Sequence, residues 1–199
     1  MQFLNFIFST VLHLYTAVLL LRIWMQWARC DFYNPFSQFV VKITQPVVRP
    51  LRRVIPSVGP IDMASVVLAF VLVFLKIMMP IWLNTGQFFP SEIEVLPNLK
   101  INSTFLFPYS LIQLLTEAGK LVFWLVIARA LLSWISQGRN PVDYVLLQLT
   151  EPLMSPIRRI IPSMGGLDFS AMIVILILYA LNYLSNDIIS WLISMFLIN

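Results

Sequence analysis

Charge is what this chain has least of. Only 11% of its 199 residues are Asp, Glu, Lys or Arg, against roughly 25% in a soluble domain, so it cannot clothe a water-facing surface. One cysteine, Cys30, and one histidine, His13, exclude an intramolecular disulfide and leave no cluster for a His-type metal site. Acid–base or nucleophilic chemistry needs a base beside a nucleophile. Those materials are scarce, so the sequence reads as non-enzymatic and implies no cofactor. No Lys or Arg precedes Arg22. The basic start of a cleaved secretory signal is therefore missing, and the first apolar segment is expected to remain as a membrane span.

What the chain does have is apolar length. Residues of hydrophobic type make up 59% of it, mean hydropathy is +0.86, and they are bunched. A helical span needs about 20 mostly apolar residues, because the hydrocarbon layer is about 30 Å thick and each residue rises about 1.5 Å. Four stretches qualify: 3–27, 63–83, 109–134 and one beginning near Phe169. The tail from Asp187 is either the end of the fourth span or a separate interfacial helix.

Between spans one and two, and again between three and four, lie two proline-rich stretches that repeat each other. At a constant offset, identical residues fall at Asn34/Asn140, Pro35/Pro141, Thr44/Thr150, Pro46/Pro152, Pro50/Pro156, Arg52/Arg158, Arg53/Arg159, Ile55/Ile161, Pro56/Pro162, Ser57/Ser163, Gly59/Gly165 and Asp62/Asp168. With a one-residue gap, Arg22 and Trp27 match Arg129 and Trp134. This is an internal duplication, with a first repeat over 1–90, an external linker over 91–107 and a second repeat over 108–199. Basic residues concentrate in the two proline-rich loops, and such loops stay cytoplasmic. Both termini are therefore expected outside, which makes the repeats parallel, packed about an axis near the membrane normal. The expected fold is all-α: a polytopic membrane protein of about four transmembrane helices in two parallel repeats, each with an interfacial amphipathic helix.

The repeated pattern Asn-Pro, Thr-x-Pro, Pro-x-Arg-Arg-x-Ile-Pro-Ser-x-Gly and Asp closely resembles the YggT family, across both halves, in the two-copy form of the bacterial inner membrane. The resemblance implies participation in the response to extracytoplasmic or osmotic stress. Single-copy relatives are linked to cell division, to nucleoid distribution in plastids and to haem attachment to a cytochrome b.

In the first loop Phe36, Phe39, Val40 and Ile43 fall on one helical face, repeated by Val142, Val145, Leu146 and Leu149. These segments are expected to lie in the interface with that face in lipid, starting at N-caps Asn34 and Asn140 and ended or kinked by Pro46 and Pro152. Arg52–Arg53 and Arg158–Arg159 then sit at phosphate depth, where each basic residue is worth about 1 kcal/mol at an anionic leaflet. They serve either as topological anchors or as a site for lipid head groups or an acidic partner. Gly59 and Gly165 allow a tight turn. Asp62 and Asp168 open the following spans as N-caps or pair with Arg22 and Arg129, whose stems can snorkel. Lys76 lies within snorkelling reach of the outer end of its span, Glu117 and Lys120 stand at i, i+3 and can pair, and His13 is a packed polar residue or a proton relay. The implied partners are the anionic bilayer and a membrane protein or a second copy, not nucleic acid. The residues favour a scaffold or assembly factor, with an oligomeric channel or transporter as the alternative.

Overall fold

The computed structural model describes residues 2–87, 90–96, 99–135, 141–161 and 169–198. Its helices run α1 (Gln2–Trp27), α2 (Pro35–Leu51), α3 (Met63–Thr85), α4 (Leu106–Ile135), α5 (Pro141–Ile160) and α6 (Phe169–Phe196). Of these, α1, α3, α4 and α6 are long and apolar enough to cross a membrane. The fourth span is one unbroken helix to Phe196, so Asp187 begins no separate segment. Within each half the two spans pack on each other, α1 on α3 and α4 on α6, and α4 also packs against the α1/α3 pair.

The shorter helices α2 and α5 are the interfacial pair. Asn34 caps α2, its side chain accepting from Phe36 N at 2.9 Å, with Pro35 at the first position. Asn140 lies outside the described residues. Of the two expected outcomes at the prolines, ending the helix does not occur: α2 continues through Pro46 and Pro50, and α5 through Pro152 and Pro156. Each proline removes one amide donor. In α2 both prolines are on the exposed side, where the orphaned carbonyls can be solvated. The apolar face is also divided. Val40 packs inward beside Ser37, Thr44 and Val48, whereas Phe39 and Ile43 remain outside. In the second copy Val145, Leu146 and Leu149 are buried and Val142 is exposed.

α1 ends in a left-handed residue, Arg29 (φ 53°). Cys30 N bonds back to Met25 O at 3.0 Å, the 6→1 closure of a Schellman motif. Cys30 is thereby carried into a core with Met25, Val40, Val145, Leu146 and Leu149, where α5 of the second half meets α1 and α2 of the first. Trp24 Nε1 donates to Leu149 O at 2.9 Å across the same seam. Burial pushes the Cys30 thiol up to about 11, so it should be inert until the fold opens.

At the opposite end of the bundle the 91–107 segment is more than a linker. It holds an antiparallel hairpin, β1 (Glu92–Leu96) with β2 (Leu99–Asn102), and β3 (Leu197–Ile198) pairs with β2 just after α6. Lys100 bridges to Glu92 at 3.0 Å. Short polar-to-apolar alternation is a weak signal beside four long apolar runs, and the third strand comes from nearly a hundred residues away, so sequence periodicity missed this sheet.

Candidate functional site: two arginine locks and a mid-span ion triad

Two charged clusters form where the repeats place them. At the proline-loop end of the first half, Arg22 on α1 is buried and forks onto α2: Nη1 donates to Thr44 Oγ1 at 2.6 Å and Nη2 to Gln45 Oε1 at 3.0 Å. Thr44 is an acceptor here because its own hydroxyl proton goes to Val40 O at 2.8 Å. The tight turn over 58–61, with Gly59 at φ 58°, returns the chain so that Asp62 sits beneath α2. Asp62 is the N-cap residue of α3 by position, but its carboxylate caps no backbone amide. Instead Oδ2 accepts from Arg52 Nη2 at 2.6 Å, Arg52 Nε at 2.9 Å and Ser65 Oγ at 2.7 Å, with Arg22 Nε at 3.9 Å. The carboxylate is thus paired rather than capping, and its bonded partner is Arg52 rather than the expected Arg22. Burial alone would raise the Asp62 carboxyl; the bonds from Arg52 and Ser65 and the charges of Arg52 and Arg22 outweigh it and hold the group below the usual carboxylate range.

The second half repeats the arginine–threonine part of the lock, with Ala171 at the position of Ser65. Arg129 Nη1 donates to Thr150 Oγ1 at 2.5 Å, and Thr150 donates to Leu146 O at 2.7 Å. At the position of Gln45 stands Glu151, 3.7 Å from Arg129 and 3.2 Å from Arg158 Nη1. Asp168 lies outside the described residues. The doubled arginines therefore divide their work: Arg52 and Arg158 turn onto carboxylates, while Arg53 and Arg159 are exposed. Nothing in the dipeptide marks that asymmetry; it follows from which helical face meets the span.

The second cluster was not legible as a unit. Lys76 Nζ donates to Glu117 Oε1 at 2.6 Å, and His13 Nδ1 lies 3.4 Å from both atoms. Glu117 thus bonds across to α3 rather than to Lys120 on its own helix, and Lys76 turns to this partner rather than snorkelling. Lys76 is nine residues from the end of α3 at Thr85, about 14 Å at the helical rise, which is close to mid-depth in a 30 Å layer. Glu117 Oε2 is buried without a hydrogen-bond partner among the described residues. An intramembrane ionisable group is costly and marks function by default. No group of three or more metal-ligating side chains occurs among the described residues.

Long apolar spans, a duplicated interfacial helix locked by a buried arginine and an ionic contact between the halves define a polytopic α-helical membrane protein built from two like repeats. The chain belongs to the CCB3/YggT family, whose pattern matches it twice, over residues 1–83 and 108–189. It is 52% identical over 182 residues to an uncharacterized protein YggT of Escherichia coli (strain K12), covering 92% of this chain and 88% of that one. It is 49% identical over 189 residues to an uncharacterized protein in the proC 3' region of Vibrio alginolyticus, covering 95% and 96%. An uncharacterized protein of Haemophilus influenzae is 36% identical over 188 residues, 94% of each chain. No solved structure matches.

Proposed function

We propose that this protein is a non-catalytic scaffold or membrane-homeostasis factor of the bacterial inner membrane, with both termini periplasmic, both doubled-arginine loops cytoplasmic, and interfacial helices that engage anionic lipid. The observation that carries this reading is a cleft of about 620 Å³ along α2 whose lining combines the cations Lys42 and Arg49 with Phe32, Val41 and Pro46 and the amides Gln38 and Gln45. A lining of cations and apolar side chains together suits a phosphate head group with its acyl chains alongside. Arg53, just past α2, and Arg159, in the last turn of α5, are exposed and add to the same charge. Arg22, Arg52 and Arg129 act instead as struts that set the pose of α2 and α5, while Arg158 bonds to Glu151 on its own helix. A part in the response to extracytoplasmic, osmotic stress is proposed with it, on the resemblance of the repeated motif alone.

Replacing Lys42, Arg49 and Arg53 together by Gln should weaken retention of phosphatidylglycerol about a hundredfold, since three residues each worth about 1 kcal/mol act at one surface. Phosphatidylcholine should be unaffected. Native mass spectrometry of the detergent-solubilised protein reads both. Unchanged phosphatidylglycerol binding with correct insertion would reduce the basic residues to orientation signals.

A channel or transporter for ions or osmolytes is the second reading, favoured by the His13–Lys76–Glu117 cluster at mid-depth. Ion flux by purified protein in liposomes separates the two.

A further inference from the structure

Duplication turns one internal contact into a template for another. In the first half, α4 lies on the α1/α3 face: Leu114 packs with Val73 and Ala69, and Glu117 reaches Lys76. The repeat offsets carry this face onto α4/α6 of the second half. His13 maps to Lys120, Lys76 to Asn182, Val73 to Tyr179 and Met78 to Leu184. Lys120, Asn182, Tyr179 and Leu184 line a groove of about 500 Å³ between α4 and α6. Val73 is 1% exposed and Met78 2%, yet their counterparts Tyr179 and Leu184 are 54% and 52% exposed. The groove is the same surface, uncovered.

The matching ridge is uncovered as well. The α4 residues that face the first half, Leu114, Ala118 and Leu121, map to Ile7, Val11 and Leu14 on α1. Leu114 is 6% exposed; Ile7 is 43% exposed, and Val11 and Leu14 are exposed too. Glu117 maps to Thr10, whose hydroxyl donates to Phe6 O and keeps lone pairs free to accept from the Lys120 ammonium. Lys120 is exposed and has no ion pair among the described residues.

From these equivalences we infer that the α4/α6 groove is filled by α1 of a second copy of this chain. The contact repeats the one already made inside the chain, with Thr10 of the arriving helix opposite Lys120 and Asn182. Reciprocal seating of the two α1 helices closes the pair about a two-fold axis and places four like halves around it. An amine at mid-depth is then covered rather than left facing hydrocarbon. The inference stands on the repeat geometry and not on the lipid contacts of α2.

The test uses the purified full-length protein in phosphatidylcholine vesicles. Two populations, Thr10→Cys and Asn182→Cys, each in a Cys30→Ala background, are mixed and treated with a short bismaleimide. A crosslinked product of two chains is expected only from the mixture, and single-molecule photobleaching of labelled protein should give two steps. Thr10→Glu combined with Asn182→Lys recreates the Glu117–Lys76 pair at the new contact and should tighten dimerisation at least tenfold. Leu14→Arg, on the ridge, should weaken it at least tenfold, with an unchanged elution profile in detergent confirming folding. A single photobleaching step at all protein densities would overturn the inference and leave the groove to lipid or another protein. So would crosslinking between Thr10→Cys copies alone, or dimerisation indifferent to both sets of substitutions.

Discussion

Replacing Glu117 by Leu is expected to destabilise the protein by about 3–5 kcal/mol, the cost of leaving a buried charge without its partner. The substitution removes the carboxylate that Lys76 meets at 2.6 Å and leaves an ammonium near mid-depth in the layer, where no water replaces the lost contact. The second substitution Lys76→Leu should restore most of the loss, because removing both members of a buried pair is often nearly neutral. Cys30 offers the readout. It is buried with a thiol pushed up to about 11, so thiol labelling during denaturation in detergent reports opening of the fold. A Glu117→Leu protein as stable as the parent would mean that the triad is solvated and makes no structural contact. A stable double variant that fails to support growth under osmotic stress would assign the triad to function rather than to packing.

The second large effect is expected at Arg22. Arg22→Met removes the two bonds to α2 and the ionic contact with Asp62, leaving Thr44 and Gln45 facing an apolar gap and Asp62 held by Arg52 and Ser65 alone. The expected cost is about 3 kcal/mol, again the consequence of stripping one partner from a buried charged network. Limited proteolysis should then cut in residues 49–58, because α2 is no longer tied to α1. Arg22→Lys should recover little, since an ammonium cannot reproduce the planar fork. Arg53→Gln, one residue beyond the strut Arg52 and exposed, should change stability by under about 0.5 kcal/mol. If Arg22→Met and Arg53→Gln behaved alike, the distinction between struts and outward charges would be lost.

The spans, the duplication and the amphipathic helices were legible because each is a local or periodic property: run length, constant offset, one-face spacing. What the sequence hid was direction. Arg52 and Arg53 are chemically identical and both exposed, and only the pose of α2 over Asp62 brings Arg52 onto that carboxylate. Glu117 had a partner within its own helix at Lys120, and i, i+3 spacing made that pair the natural expectation; helix packing instead turned Glu117 toward α3. Asp62 had the position of a cap but met two guanidinium groups first. Pro46 read as a stop or a kink because proline costs a helix its bond, and α2 runs on through it because on an exposed face that carbonyl can be solvated. The repeat also extends into the spans, where it aligns His13 with Lys120 and Lys76 with Asn182, two equivalent pairs that can be read before any packing is known.

Opposite faces of the bundle are the premise of the whole account: the doubled-arginine loops on the cytoplasmic side, the hairpin and both ends of the chain on the other. Fusing alkaline phosphatase or green fluorescent protein in turn to each terminus, and inserting each at 57–59, tests that directly. Phosphatase activity at both termini with fluorescence from the loop insertion is the expected result. Fluorescence from either terminus, or phosphatase activity from the loop, would contradict it.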